Sequence, residues 1–208
     1  MPTKHNDISL WVINEQDISP ELDRTIRETL VVCFPADREY FQRQSWWHCV
    51  PIYRVFGSDD PRFRGDKFTP AKAGGSVAAH AAVVERTVIV GPDLSNPPKN
   101  RRVKLRVAGI QSCCVLPSYR GTGLSDKMMS VAMAEANRRG FDAGLLFCLD
   151  QLETVYGRMG WSKLDAAVYM ADDKEGKTLI PAKNITMFYP LKAKQFPAGD
   201  IDLVGTDW

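Results

Sequence analysis

The chain has 208 residues, 44% apolar and 25% charged, a balance that suits one globular domain and excludes disordered or fibrous material. Its formal net charge of +2 is too small to point to nucleic acid, and the basic residues that do cluster (Lys99, Arg101, Arg102, Lys104, Arg106) read as a solvated hairpin or as an aid in attracting an anion. Residues 1–7 are polar, no secretion signal follows, and no run reaches the roughly 18 apolar residues of a membrane span, so a cytoplasmic protein with neither a membrane nor a nucleic-acid partner is expected.

Residues 8–13 (ISLWVI) read as a first strand. Ser19-Pro20-Glu21-Leu22 marks a helix start, with Ser19 as N-cap and Pro20 at the first helical position. Leu22, Ile26, Leu30 and Val31 then share a helical face, and Phe34-Pro35 ends the helix. The aromatic stretch 38–47 is a second helix or an irregular turn. Residues 51–56 (PIYRVF) form a strand. The polar segment 58–75 is a loop longer than a hairpin needs, either a lid or an exposed ornament. Residues 76–90 and 103–115 are long apolar strands joined by a turn region with three prolines, Pro92, Pro97 and Pro98. A helix over 124–139 follows, with Leu124, Met128, Met129, Ala132 and Ala136 on one face and Gly140 at its C′ position. Residues 143–149 (AGLLFCL) are a buried strand. A short helix over 151–159 comes next, capped by Gly160 before Trp161. The last clear strand lies in 183–191, and 193–208 reads as a tail. There is no internal repeat and no linker, which makes a single domain over 1–208 with its core at about 8–192. The class is α/β (α+β) with mixed strand pairing.

The five cysteines, Cys33, Cys49, Cys113, Cys114 and Cys148, are odd in number and sit mostly in apolar runs. Adjacent residues on a strand face opposite ways, so Cys113 and Cys114 are not a bridge. All five read as reduced core residues. Three scattered histidines give no metal-ligand spacing, and no metal is expected.

The most telling segment is 115–125. An apolar run stops at Pro117. A turn with Arg120, Gly121 and Gly123 follows, and then a long helix begins. This layout aims backbone N–H groups and the positive end of a helix dipole at one spot. Such a spot suits a phosphate, and glycine allows its close approach.

The order of strand, Arg-Gly-x-Gly turn, long helix, buried strand, short helix with tyrosine, and Gly-aromatic resembles the GCN5-related N-acetyltransferase (GNAT) superfamily. Its cofactor motif, Gln/Arg-x-x-Gly-x-Gly/Ala, is similar to Arg120-Gly121-Thr122-Gly123-Leu124-Ser125, where Ser125 departs from the last position. Its Phe-Tyr-x-x-x-Gly-Phe is similar to Val155-Tyr156-Gly157-Arg158-Met159-Gly160-Trp161. The resemblance spans residues 8–192. It implies a single GNAT-like domain: a central mixed, mostly antiparallel sheet, splayed at a cofactor cleft and flanked by helices. It also implies acetyl-coenzyme A as cofactor. Arg120 leads the turn, and the amides of Gly121, Thr122, Gly123, Leu124 and Ser125 hold the pyrophosphate. The backbone of Cys114 and Val115 meets the pantetheine arm. Tyr156 is the general acid toward the leaving thiolate, against a bland reading as a half-buried core aromatic.

Within the superfamily, His80-Ala81-Ala82-Val83-Val84 and the acidic-aromatic end Asp207-Trp208 resemble the aminoglycoside 2′-N-acetyltransferase branch, where the terminal tryptophan and its carboxylate help form the acceptor pocket. That branch places a glutamate in its fourth strand as a base acting through water. Gln111 stands at the corresponding position here and can hold a water or the substrate but cannot take a proton. Glu85, Asp150 and Glu153 are the substitute carboxylates, each with a solvated-surface alternative. Glu85 is the base candidate, while Asp150, Glu153, Asp207, Trp208 and Trp47 are candidates for binding the acceptor. The expected function is transfer of an acetyl group to a primary amine of a small cationic acceptor, aminoglycosides included. The alternatives are a longer-chain N-acyltransferase acting on an amino sugar and a non-catalytic acyl-coenzyme A sensor. A homodimer is expected from resemblance alone.

Overall fold

A computed structural model describes residues 8–59, 77–92, 102–172 and 176–208. The expected loop over 58–75 and the proline-rich turn over 92–102 therefore fall almost wholly outside the described residues. Contacts gather into two compact units, Met1–Val83 with Gln111–Ala132, and Val84–Ile110 with Met133–Trp208.

In the first unit, strand β1 (Ser9–Asn14) pairs antiparallel with β2 (Tyr53–Ser58), from Ser9↔Ser58 to Asn14↔Tyr53. β2 pairs antiparallel with the first half of β3 (Ala79–Gly91), from Tyr53↔Val83 to Gly57↔Ala79. Helix α1 (Pro20–Cys33) starts as its sequence says: the Ser19 side chain accepts a hydrogen bond from Leu22 N at 3.2 Å. Such a cap is worth about 1 kcal/mol. The helix buries Leu22, Ile26 and Leu30. The buried Thr29 hydroxyl donates to Val77 O at 2.7 Å and pins this face to the start of β3. Helix α2 (Arg38–Arg43) is short. The rest of 38–47 is irregular, because Tyr40 Oη and Gln44 Nε2 both donate to Trp46 O and fold the chain back.

One buried cation holds this unit together. Arg54 is fully buried, donates to Glu15 at 2.5 and 2.7 Å, and donates to Ser45 Oγ at 2.6 Å. Ser45 in turn donates to Asp23. A buried guanidinium is tolerable only when its donors are met in this way.

Helix α3 (Leu124–Arg138) buries the expected face, Leu124, Met128, Met129, Ala132 and Ala136, with Met133 added. Tyr53 Oη, on β2, donates to Ala132 O at 2.8 Å. Gly140 takes a φ of 78° and closes the helix.

The second unit carries the strand order β6-β9-β5-β4-β3-β10-β7-β8. Its strands are β4 (Val103–Val115), β5 (Ala143–Leu149), β6 (Ser162–Leu164), β7 (Val168–Asp172), β8 (Gly176–Leu179), β9 (Asn184–Pro190) and β10 (Asp200–Asp202). The β4–β5 and β7–β10 pairings are parallel. The β3–β10, β5–β9, β6–β9 and β7–β8 pairings are antiparallel. Helix α4 (Glu153–Arg158) follows a turn of 3-10 helix over Asp150–Leu152. The fold is α+β with a mixed, mostly antiparallel sheet flanked by helices, as the sequence suggests.

The expected tail is a correction. Residues 193–208 are not an appendage: β10 pairs with β3 through Ile201↔Val90 and with β7 through Ile201↔Val168. Asp202 fixes the turn beyond it, accepting from Val204 N at 2.9 Å and from Lys177 Nζ. Three-residue strands leave too little alternation to be read from sequence. Among the described residues no helix is long and apolar enough to cross a membrane.

Candidate active site

The glycine turn belongs to the first unit and is built outward from the end of β4. Leu116 N donates to Ala78 O at 2.8 Å, which keeps the strand end beside β3. Pro117–Tyr119 forms a turn of 3-10 helix. Arg120 Nε then donates back to Val115 O at 3.1 Å, and Thr122 Oγ1 to Tyr119 O at 2.7 Å. Gly121 and Gly123 hold φ of 77° and 74°. A Cβ at either would meet nothing within 4 Å. Backbone conformation, not crowding, therefore calls for glycine here. The first backbone bond entering α3 is Lys127 N to Gly123 O at 3.2 Å. The N–H groups before it have no intrahelical acceptor. Gly121, Thr122 and Gly123 are exposed, so the positive end of α3 opens to solvent. Ser125, the departure from the motif, turns its hydroxyl to Asp126 Oδ1 at 3.2 Å.

Just upstream, β4 kinks. Ser112 has a φ of 50°, which non-glycine residues rarely take. His80 on β3 braces the kink: its Nδ1 lies 3.0 Å from Ser112 O. Since a carbonyl only accepts, Nδ1 carries the proton. His80 is 0% exposed, and burial, helped by the Arg54 charge and opposed by the bond to Ser112 O, lowers its pKa to about 3. The imidazole is neutral at any ordinary pH, and its Nε2 is buried without a partner.

Gln111 and Trp47 meet in the same unit, though not as a water-holding pair. Gln111 is 4% exposed; its Oε1 accepts from Trp47 N at 2.5 Å and its Nε2 donates to Cys49 O at 2.6 Å. The carboxamide clasps the 47–49 backbone, which takes it away from the expected substrate or water. Trp47 is half-buried, with its ring 4.3 Å from Tyr40 and 5.8 Å from Phe41. It packs against the α1–α2 core cluster.

The remaining candidates lie in the second unit. Glu85 receives two hydrogen bonds of 2.7 Å from Arg106, which hold its carboxyl below the usual range. A base needs the opposite shift, so its geometry argues against that role. Asp150 and Glu153 both accept from Lys163 Nζ, at 3.0 and 2.9 Å, and raise that ammonium's pKa. Asp207 is half-buried. Trp208 is 6% exposed and packs against Phe147, the rings tilted by 50° with centroids 4.8 Å apart. A Cβ on Gly109 would come within 2.5 Å of its indole. The indole therefore plugs the sheet and is a core residue in this structure. Tyr156 is half-buried on α4, edge-on to Trp161 at 6.3 Å. The sequence reading overlooked Arg54 and the link between His80 and Ser112; a buried arginine inside a strand of apolar residues is the signal that was there to find.

Residues 100–164 match the family model of the acetyltransferase (GNAT) domain. No curated protein matches the chain. Among solved structures, it is similar to the GNAT family N-acetyltransferase YhbS from Escherichia coli, solved in complex with CoA, at 14% identity and a TM-score of 0.57 over 95% of this chain and 91% of that one. Escherichia coli ElaA gives 12% identity and 0.54 over 88% and 99%. An acyl-CoA N-acyltransferase from Pseudomonas aeruginosa gives 12% identity and 0.51 over 88% and 99%. At such identities the likeness is one of fold. The fold is the one these N-acetyltransferases share, and the matched segment is that of the acetyltransferase (GNAT) domain. The segment 100–164 spans β4, the glycine turn, α3, β5 and α4, so the matched part is the part that carries the turn.

Proposed function

We propose that the chain transfers an acetyl group from acetyl-coenzyme A to a primary amine on a small, cationic acceptor. The observation that carries this reading is the turn: two glycines at positive φ, open space around them, and an exposed helix N-terminus. These are the features a pyrophosphate needs. The relative solved with CoA supports the choice of donor. In this reading the amides of Gly121 to Ser125 hold the pyrophosphate, with Arg120 beside them. The backbone of Cys114 and Val115 lines the pantetheine arm. The bound donor supplies an acetyl thioester.

Tyr156 is assigned the proton that the departing thiolate takes up. Removal of the amine proton is assigned to solvent. Gln111 is engaged with backbone, Glu85 with Arg106, and Asp150 and Glu153 with Lys163. A groove of about 710 Å³ along α2, lined by Asp37, Glu39 and Tyr40 and also by Arg38 and Arg43, offers carboxylates to an ammonium. Its arginines suit an acceptor that carries a second, anionic group.

Acetyl-coenzyme A is expected to raise the melting temperature; no shift at millimolar donor overturns the reading. Tyr156→Phe is expected to lower turnover with donor affinity unchanged. Equal turnover in the variant removes Tyr156 from the acid role.

A further inference from the structure

Three unfavourable features of the first unit fall on one pair of residues, His80 on β3 and Ser112 on β4. Ser112 holds a φ of 50° although it carries a side chain. Its hydroxyl is buried without a partner, and so is Nε2 of His80. The bond that joins the two residues runs from His80 Nδ1 to Ser112 O at 3.0 Å. Backbone strain and idle buried polar groups each cost stability, and such outliers gather where a backbone has a task besides folding.

The pair marks one end of a span that β3 holds at both ends. His80 Nδ1 grips Ser112 O, and Ala78 O, two residues earlier, accepts from Leu116 N at 2.8 Å. These two anchors bracket Cys113, Cys114 and Val115. Arg120 Nε donates to Val115 O at 3.1 Å, so the bracketed span leads into the glycine turn. The imidazole is held in its turn. Phe56 stands opposite it in the β2–β3 ladder, and Arg54, two residues along on the same face, is fixed by Glu15 and Ser45. His80 is 0% exposed, and its neutral Nδ1–H form persists at ordinary pH, which suits a fixed donor and not a proton carrier.

We propose that His80 is a positioning residue for acetyl transfer: by holding Ser112 O it fixes the course of the backbone over Cys113, Cys114 and Val115, the span that receives the pantetheine arm. The inference rests on the donor reading above and extends it from the glycine turn, which grips phosphate, to the span that aligns the thioester. The two parts are anchored separately, since the turn lies beyond the Leu116–Ala78 bond. Loss of the His80 bond therefore disturbs the alignment and leaves the phosphate grip in place. A misplacement of about 1 Å can slow a reaction roughly a hundredfold.

The test compares the wild type with His80→Leu, which fills the space but has no N–H to give, and with His80→Asn, whose amide nitrogen is as many bonds from Cα as Nδ1. Acetyl-coenzyme A affinity is read by calorimetry, and amide hydrogen exchange is followed with and without the donor. In the wild type the donor is expected to slow exchange over 113–115 and over 121–125. In His80→Leu it is expected to bind with near wild-type affinity and to protect 121–125 but not 113–115, and His80→Asn is expected to restore protection there. Turnover is read as free coenzyme A released with aminoglycosides and with spermidine as amines. For each amine that the wild type acetylates, kcat is expected to fall roughly tenfold in His80→Leu, with the donor KM unchanged, and His80→Asn is expected to recover most of the loss. If His80→Leu does not fold, Ser112→Gly decides, because glycine takes a φ of 50° freely. A higher melting temperature with weaker protection of 113–115 is then expected, and unchanged protection overturns the proposal. A wild type that does not bind acetyl-coenzyme A overturns the donor reading and the proposal together. Donor binding with equal protection of 113–115, or equal kcat, in the wild type and His80→Leu overturns the proposal alone.

Discussion

His80 makes the stability of the chain depend on pH between neutrality and mild acid. Its imidazole is 0% exposed and neutral, with a pKa lowered from 6.5 to about 3, chiefly by burial. Between those two values the unfolded chain binds a proton that the folded chain does not. Stability therefore rises with pH across the window and falls as acid is added. Near pH 5 the difference amounts to about 1.5 pKa units, or about 2 kcal/mol of lost stability. Glu85 and Glu135 act in the same direction, since both have lowered carboxyl pKa values, but only below their ordinary value of 4.5. The experiment is urea unfolding near pH 7.5 and near pH 5, for the wild type and for His80→Asn. Asparagine offers an amide N–H to Ser112 O in place of Nδ1 and has nothing to titrate. The wild type is expected to lose about 2 kcal/mol more than the variant between the two pH values. The other histidines and the carboxylates are common to both proteins and cancel. Equal losses would refute the argument that a buried neutral imidazole sits at this position.

Three further outcomes follow from close contacts. Gln111→Glu, which installs the carboxylate of the aminoglycoside-modifying branch, is expected to place an acceptor against Cys49 O and to destabilise the fold by about 1–3 kcal/mol, read by urea unfolding, with no gain in turnover of aminoglycosides. Gly109→Ala drives a methyl group into the Trp208 indole and Val84 and is expected to cost about 1–3 kcal/mol; restoration by the double variant with Trp208→Phe would tie the loss to that contact. Gly123→Ala sets an L-residue at a φ of 74°, a strain of about 1–2 kcal/mol, and is expected to weaken acetyl-coenzyme A binding by roughly tenfold by calorimetry; unchanged affinity would remove the turn from the donor site.

The long elements were legible because their own residues decide them. β4 and β5 run Val103–Val115 and Ala143–Leu149, as their apolar runs predict. The buried face of α3 is the one that its 3.6-residue period marks. β6, β7, β8 and β10 were not legible. Each has three to five residues, and each is a strand because a neighbour supplies the ladder: Ser162–Leu164 pairs with β9, and Asp200–Asp202 fits between β3 and β7. Nothing within such a segment distinguishes it from a turn. The glycine at 199 carries a φ of 126° and its Cβ position is filled by Gly91 backbone, so the sharp entry into β10 is written in one residue that sequence alone reads as an ordinary loop glycine.

The two halves of the proposed reaction differ in legibility for a related reason. A phosphate site at a helix N-terminus is made of backbone, and backbone of that shape demands glycine at fixed places; Gly121 and Gly123 therefore show in the sequence. An acceptor site is made of side chains whose availability is decided by partners far along the chain. Glu85 is a base candidate until Arg106, 21 residues on, is found to hold both its oxygens. Gln111 is a water-binding candidate until the backbone of Trp47 and Cys49, more than 60 residues back, is found to use both ends of its amide. Trp208 is a pocket wall until Gly109 is found to be small enough to receive its indole. In each case a contact distant in sequence decides what the side chain has left to offer, because hydrogen-bonding capacity belongs to the residue while its surroundings belong to the fold.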